Sequence, residues 1–167
     1  MEAAAHISKR AAELRRDFDR GFADPPFVAS ETKQDLLAIR LGARRLAIRL
    51  SEIAGLFADK KITPVPGAAT GMQGIAGFRG SILPVYDLQR LLDLSSSEAP
   101  RWLVIAAAAP VAFSFEAFEE QIRVSADSIK CEQTQAKNGF TREFIQTEGV
   151  LRPIIQLSAV LEAVMTR

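Results

Sequence analysis

The chain has 167 residues, 48% apolar and 25% charged, with a formal net charge of +1. That length suits one domain or two closely joined subdomains, and the balance is ordinary for a soluble globular protein. It excludes the strongly basic footprint of a nucleic-acid binder. Its single cysteine, Cys131, excludes an internal disulfide and suits a reducing compartment.

No apolar run approaches the ~18–20 residues of a membrane span. Charges within the first ten residues, with no apolar segment there, speak against a signal peptide. A cytoplasmic protein without direct membrane insertion is expected.

Residues 3–22 read as a helix, because Ile7, Ala11, Leu14, Phe18 and Phe22 recur at helical spacing on one stripe. Gly21, Pro25 and Pro26 end it. Two roles stay open for it: an appendage packed on the body, or a helix offered to a partner or second copy. Residues 1–30 are therefore an N-terminal helix and linker, and 31–167 the body, with halves at about 31–95 and 96–167.

The period then changes from 3.6 to 2. Leu37–Leu41 and Leu46–Leu50 both read Leu-Ala-Ile-Arg-Leu, joined by Gly42-Ala43-Arg44-Arg45, which predicts an antiparallel hairpin. Leu, Ile and Leu would face a core while the alanines and arginines face water. Five of the ten glycines follow between residues 67 and 80, at Gly67, Gly71, Gly74, Gly77 and Gly80. Each would cost up to ~1 kcal/mol in a helix interior, so turns and a strand with close backbone approaches are expected. Ile82 to Leu88 is a strand with Pro84 near its start or on an edge, and Gln89 to Leu94 a short helical turn.

Beyond the polar joint Ser95–Pro100, the second half predicts strands at Trp102–Ile105, Val111–Phe115 and Ile122–Val124, and a turn at Lys137-Asn138-Gly139. Ser158 to Val164 reads as a closing helix. Gly80 to Leu92 and Gly149 to Leu161 share glycine, proline and leucine at a constant offset of 69 residues. Such an echo indicates two copies of one β unit, each too small to be stable alone. The map is one helix and about ten short strands in two sets, which close into small barrels over a shared interface.

Candidates for chemistry are sparse. The one histidine, His6, lies in the N-terminal helix, and Cys131 has no nearby His and no CxxC partner. The pairs Glu119-Glu120 and Asp17/Asp19 read as solvated faces. Gly71 to Gly77 spells GxxGxxG rather than GxGxxG and lacks the strand-to-helix context of a nucleotide site. No enzyme activity, cofactor or metal is expected. A binding module fits better than a catalytic barrel.

The segment Met72 to Leu94 resembles the CheW family, whose signature G-[IV]-x-N-x-R-G-x-[IV]-x-P-[VI]-x-D-L falls on Gly74 to Leu88, and the resemblance extends over about 31–165. It implies two intertwined five-stranded SH3-like barrels. It also implies a non-catalytic adaptor in chemotaxis signal transduction, within a two-component system. Such an adaptor couples the cytoplasmic tip of a methyl-accepting chemoreceptor to the regulatory domain of a CheA-type histidine kinase. By the same resemblance Arg79 would be an anchoring donor, and Gly74 and Gly80 positions needing freedom from Cβ. Phe78, Gly77, Ile75 and Val85 would join the partner surface, with Ile75, Ile82, Leu83 and Val85 as core or groove wall.

Several positions depart from the pattern. Gly77 replaces the asparagine of N-x-R-G, and Gly55 falls where the family often has an acidic residue. Ala112-Phe113-Ser114-Phe115-Glu116 replaces G-[LI]-x-V-D, and Gln156-Leu157 replaces the late D-L. These bear on partner choice more than on fold, since the apolar positions are kept. A CheW-like scaffold of another regulatory complex, or a small-ligand-binding barrel, are the alternative readings.

Overall fold

The computed structural model describes residues 32–95, 98–131 and 139–166. The helix read at 3–22, with His6 and Asp17/Asp19, lies outside the described residues, as do Lys137 and Asn138. The described elements are β1 (Lys33–Leu41), β2 (Arg44–Arg49), β3 (Ile53–Ala58), β4 (Met72–Phe78), β5 (Ser81–Asp87), α1 (Leu88–Leu91), β6 (Trp102–Ala106), β7 (Ala112–Phe115), β8 (Ala117–Ser125), β9 (Lys130–Cys131), β10 (Thr141–Thr147), β11 (Val150–Ile155) and α2 (Leu157–Met165). The protein is mainly β, as its short alternating apolar runs dictate.

Two sheets form, and both draw on each half of the chain. One runs β8-β1-β2-β11-β10-β9, the other β3-β6-β7-β5-β4. Apart from β9 the orders correspond strand for strand: β1 with β6, β2 with β7, β8 with β3, β10 with β4, and β11 with β5. The early hairpin β1–β2 thus sits beside the late strands β8, β10 and β11. The late hairpin β6–β7 sits beside the early strands β3, β4 and β5. This exchange of hairpins is what intertwines the two barrels.

The offset of 69 seen in sequence is also a geometric repeat. The two-residue turns between β4 and β5 and between β10 and β11 carry Arg79 (φ 45°) with Gly80 (φ 87°), and Glu148 (φ 50°) with Gly149 (φ 78°). Positive φ at both central positions gives the turn whose twist matches antiparallel strands. A register shift falls between Met72 and Gly74 in one copy and between Thr141 and Glu143 in the other. Parallel pairing with the exchanged hairpin begins at Val85 and at Ile154. Pro84 and Pro153 stand one residue before those points, where the strand has a partner on one side only. A residue with no N–H fits there without breaking a second ladder.

Three apolar clusters result. The largest gathers Ile39, Leu41 and Ile48 of one hairpin, Val104, Phe113 and Phe115 of the other, Leu88 and Leu92 at α1, and Leu157, Val160 and Leu161 of α2. It is the seam shared by the two halves. The second holds Ala76, Phe78, Leu83, Val85, Leu103 and Ala112 within one barrel. The third holds Leu36, Ala47, Ile145 and Ile154 within the other.

Each hairpin is therefore covered on both faces. The expectation that the Ala and Arg face of β1–β2 is wet is corrected, since Ala38 and Ala47 are fully buried. Only the arginines of that face reach solvent or acidic partners. Arg49 bonds Glu143, and Arg40 approaches buried Glu116 at 2.7 Å.

Other readings change as well. Glu119 and Glu120 are not a free solvated pair, because both bind the buried Arg152, at 2.5 and 3.2 Å. Cys131, expected as a buried or semi-exposed spectator, lies exposed on β9. Ile82, read as core or wall, is 71% exposed. Strand β3, and the first half of β8, went unread in the sequence because neither alternates cleanly.

Candidate functional site

The predicted site residues Phe78, Arg79 and Gly80 form the apex of the β4–β5 hairpin together with Ser81. Phe78 is buried, 3% exposed, and meets Phe57 of β3 edge-on at 5.0 Å between ring centroids. The Lys60 ammonium caps this aromatic pair, 5.4 Å from one ring centroid and 5.6 Å from the other. Such cation–π placement leaves a positive group over an apolar surface. Arg79 is exposed at the turn, and Gly77 is exposed with open space where a side chain would sit.

Beside this apex lies an open hollow of about 460 Å³, walled by Phe57, Phe78, Arg79 and Leu83 on one side and by Ala106–Pro110 on the other. Sequence reasoning passed over the latter as a connection. Its signal is visible afterwards: three alanines and a proline, Ala107–Pro110, follow Ala106 at the end of β6 with little side chain to fill space. Ile75 is half-buried. Val85 is fully buried and belongs to the floor beneath the hairpin rather than to the surface. The structure thus brings Phe78 and Arg79 together at the hollow and sets Val85 below it.

At Gly55 a Cβ would come within 2.8 Å of the Phe57 ring, so the missing side chain leaves room for that ring to lie over the strand. A second hollow, of about 280 Å³, shares Ala106, Ala107 and Ala108 and is completed by Glu52, Leu157 and Leu161.

The corresponding end of the other barrel has the opposite chemistry. A trough of about 740 Å³ there is lined by Arg45, Glu119, Glu120, Glu148 and Arg152. Across the offset of 69, Phe78 becomes Thr147, Arg79 becomes Glu148 and Leu83 becomes Arg152. The bulged residue is Ala54 in β3 and Glu119 in β8. One barrel end is apolar with a cationic rim, while its counterpart is an ion-pair network. At the trough, Arg123 binds Asp35 through two nitrogens, at 2.7 and 3.2 Å. That hydrogen bonding holds the Asp35 carboxyl below its usual range and raises Arg123. Among the described residues no cluster of His, Cys, Asp and Glu has the makings of a metal site.

A family model described as a CheW-like domain matches residues 35–165. The chain belongs to the CheW-like family. It is 22% identical over 137 residues to a chemotaxis protein CheW of Thermotoga maritima, covering 80% of this chain and 91% of the relative. It is 32% identical over 61 residues to protein FrzA of Myxococcus xanthus, covering 36% of this chain and 38% of that one. Among solved structures, scaffolding protein TtCheW from Thermoanaerobacter tengcongensis superposes with a TM-score of 0.71 at 19% identity. That match covers 78% of this chain and 94% of the other, and at such identity it shows the fold. The matched span includes the β4–β5 hairpin, and Arg79 at its turn stands on the rim of the apolar hollow. No helix among the described residues is long and apolar enough to cross a membrane.

Proposed function

We propose that this CheW-like protein is a non-catalytic cytoplasmic adaptor of chemosensory signalling, joining a chemoreceptor cytoplasmic tip to the regulatory domain of a CheA-type histidine kinase. The observation that carries the reading is the divergence between equivalent barrel ends. A bridging protein needs two surfaces that recruit unlike partners, and here one fold repeat displays an apolar hollow rimmed by Arg79 while the other displays paired charges. Apolar hollows of this kind receive the apolar face of a helix, and a rim guanidinium selects acidic neighbours on it.

The test is titration of the full chain with a chemoreceptor cytoplasmic fragment and, separately, with a CheA regulatory domain. Arg79→Ala should weaken binding of at least one of them about tenfold or more, the effect of a hot-spot arginine. Its melting temperature should stay within about 2 °C, since the side chain is exposed. Parallel loss of stability and binding would make Arg79 a turn residue only. Failure of both fragments to bind the unmodified chain would point to a scaffold of some other complex.

A further inference from the structure

The two helices that follow the repeated strands start differently. Helix α1 is capped by its own Asp87, whose carboxylate accepts from Gln89 N at 2.9 Å and Arg90 N at 3.4 Å. The equivalent residue before α2 is Gln156, and its side chain makes no cap. The carboxylate comes instead from Glu52, 105 residues before Leu157, in the short turn Leu50–Glu52 that carries the chain from β2 to β3. Its Oε2 accepts from Leu157 N and its Oε1 from Ser158 N, both at 3.2 Å. The Glu52 carbonyl also accepts from Ala107 N of the β6–β7 loop at 2.9 Å. One residue thus binds the crossover between the sheets, the start of α2 and the alanine loop. Those three pieces are the walls of the smaller hollow.

We propose that Glu52 is a positioning residue that locks α2, the β2–β3 crossover and the β6–β7 loop into one rigid body and so presets the hollow between them, continuous through Ala106–Ala108 with the Arg79-rimmed hollow, for a chemoreceptor tip. Two unsatisfied N–H groups at a helix start need an acceptor in any case. A local acid at position 156 would satisfy this need without tying distant segments together, as Asp87 does for α1. Supplying it from the crossover adds a tertiary constraint to a routine cap. A preset wall lowers the ordering cost of docking. The docking half of this inference rests on the adaptor reading above.

The experiment separates capping from clamping. In Glu52→Ala the amides of Leu157, Ser158 and Ala107 should all exchange faster, by about fivefold or more, although Ala107 bonds only the backbone of residue 52. Glu52→Gln, which keeps one acceptor oxygen, should show a smaller change and guards against a variant that fails to fold. Adding Gln156→Asp to Glu52→Ala should restore Ser158 protection, because the new side chain caps locally. Ala107 should remain fast, and binding of a chemoreceptor cytoplasmic fragment should remain weakened about tenfold. Recovery of Ala107 and of binding in the double variant would reduce Glu52 to a helix cap and overturn the clamp, as would normal Ala107 exchange in Glu52→Ala. If the unmodified chain does not bind the fragment, the adaptor reading fails, while the exchange measurements still decide the clamp.

Discussion

Gly74→Ala should destabilise the fold by about 4 kcal/mol or more, a large fraction of a domain's whole stability. Gly74 sits on β4 at φ 151°, and a Cβ there would stand 2.1 Å from the Thr63 carbonyl oxygen and 2.7 Å from its carbon. The obstacle is backbone and cannot rotate away. The Thr63 segment is strapped onto the strand by two hydrogen bonds with Ile75, of 2.8 and 2.9 Å. Gly77→Ala, three residues along the same strand, is the control. Nothing lies within 4 Å of its added methyl, so the change should fall within about 1 kcal/mol, with some gain from a stiffer unfolded chain. Urea unfolding of both variants checks this. A Gly74→Ala midpoint near that of Gly77→Ala would mean that the Thr63 strap is not part of the stable fold.

Phe113→Ala should cost about 3–5 kcal/mol, as for removal of any fully buried aromatic ring. The ring is 0% exposed and stands in the seam with Ile48 of the opposite hairpin, Leu88 and Leu157. Because the hairpins are exchanged, the loss should be felt by both barrels together. Calorimetry should show a single transition at lower temperature, with calorimetric and van't Hoff enthalpies still equal. Two resolved transitions would show that each barrel is held by its own interior and that the seam is incidental.

The repeat was legible in the chain because its markers are backbone-determined. Gly80 and Gly149 occupy a left-handed turn position, and Pro84 and Pro153 a strand position open on one side. Only a few residue types tolerate such places, so the pattern shows in sequence. The Leu-Ala-Ile-Arg-Leu hairpin was legible for a similar reason, from its period of two. Its second face was not, because alanine is small enough to read as either surface or core. Ala47 is buried against Ile145 and Ile154, whose arrival from elsewhere no local pattern announces. The family signature pointed to Arg79 and Phe78, and both lie at the hollow. Its opposite wall comes from Ala106–Pro110, and the near wall is completed by Phe57 of β3.

The sequence by itself determined that this is a duplicated, mainly β protein, since turn chemistry and strand periodicity are local properties of the chain, and the run Met72 to Leu94 carried its resemblance to the CheW-like family. Only the tertiary structure decided that the hairpins change places, that Glu52 caps a helix 105 residues away, and that the two barrel ends carry opposite chemistries. Those facts depend on long-range pairing, in which residues distant along the chain share one register and one seam. A linear pattern records what each segment prefers, but not which segment it will meet.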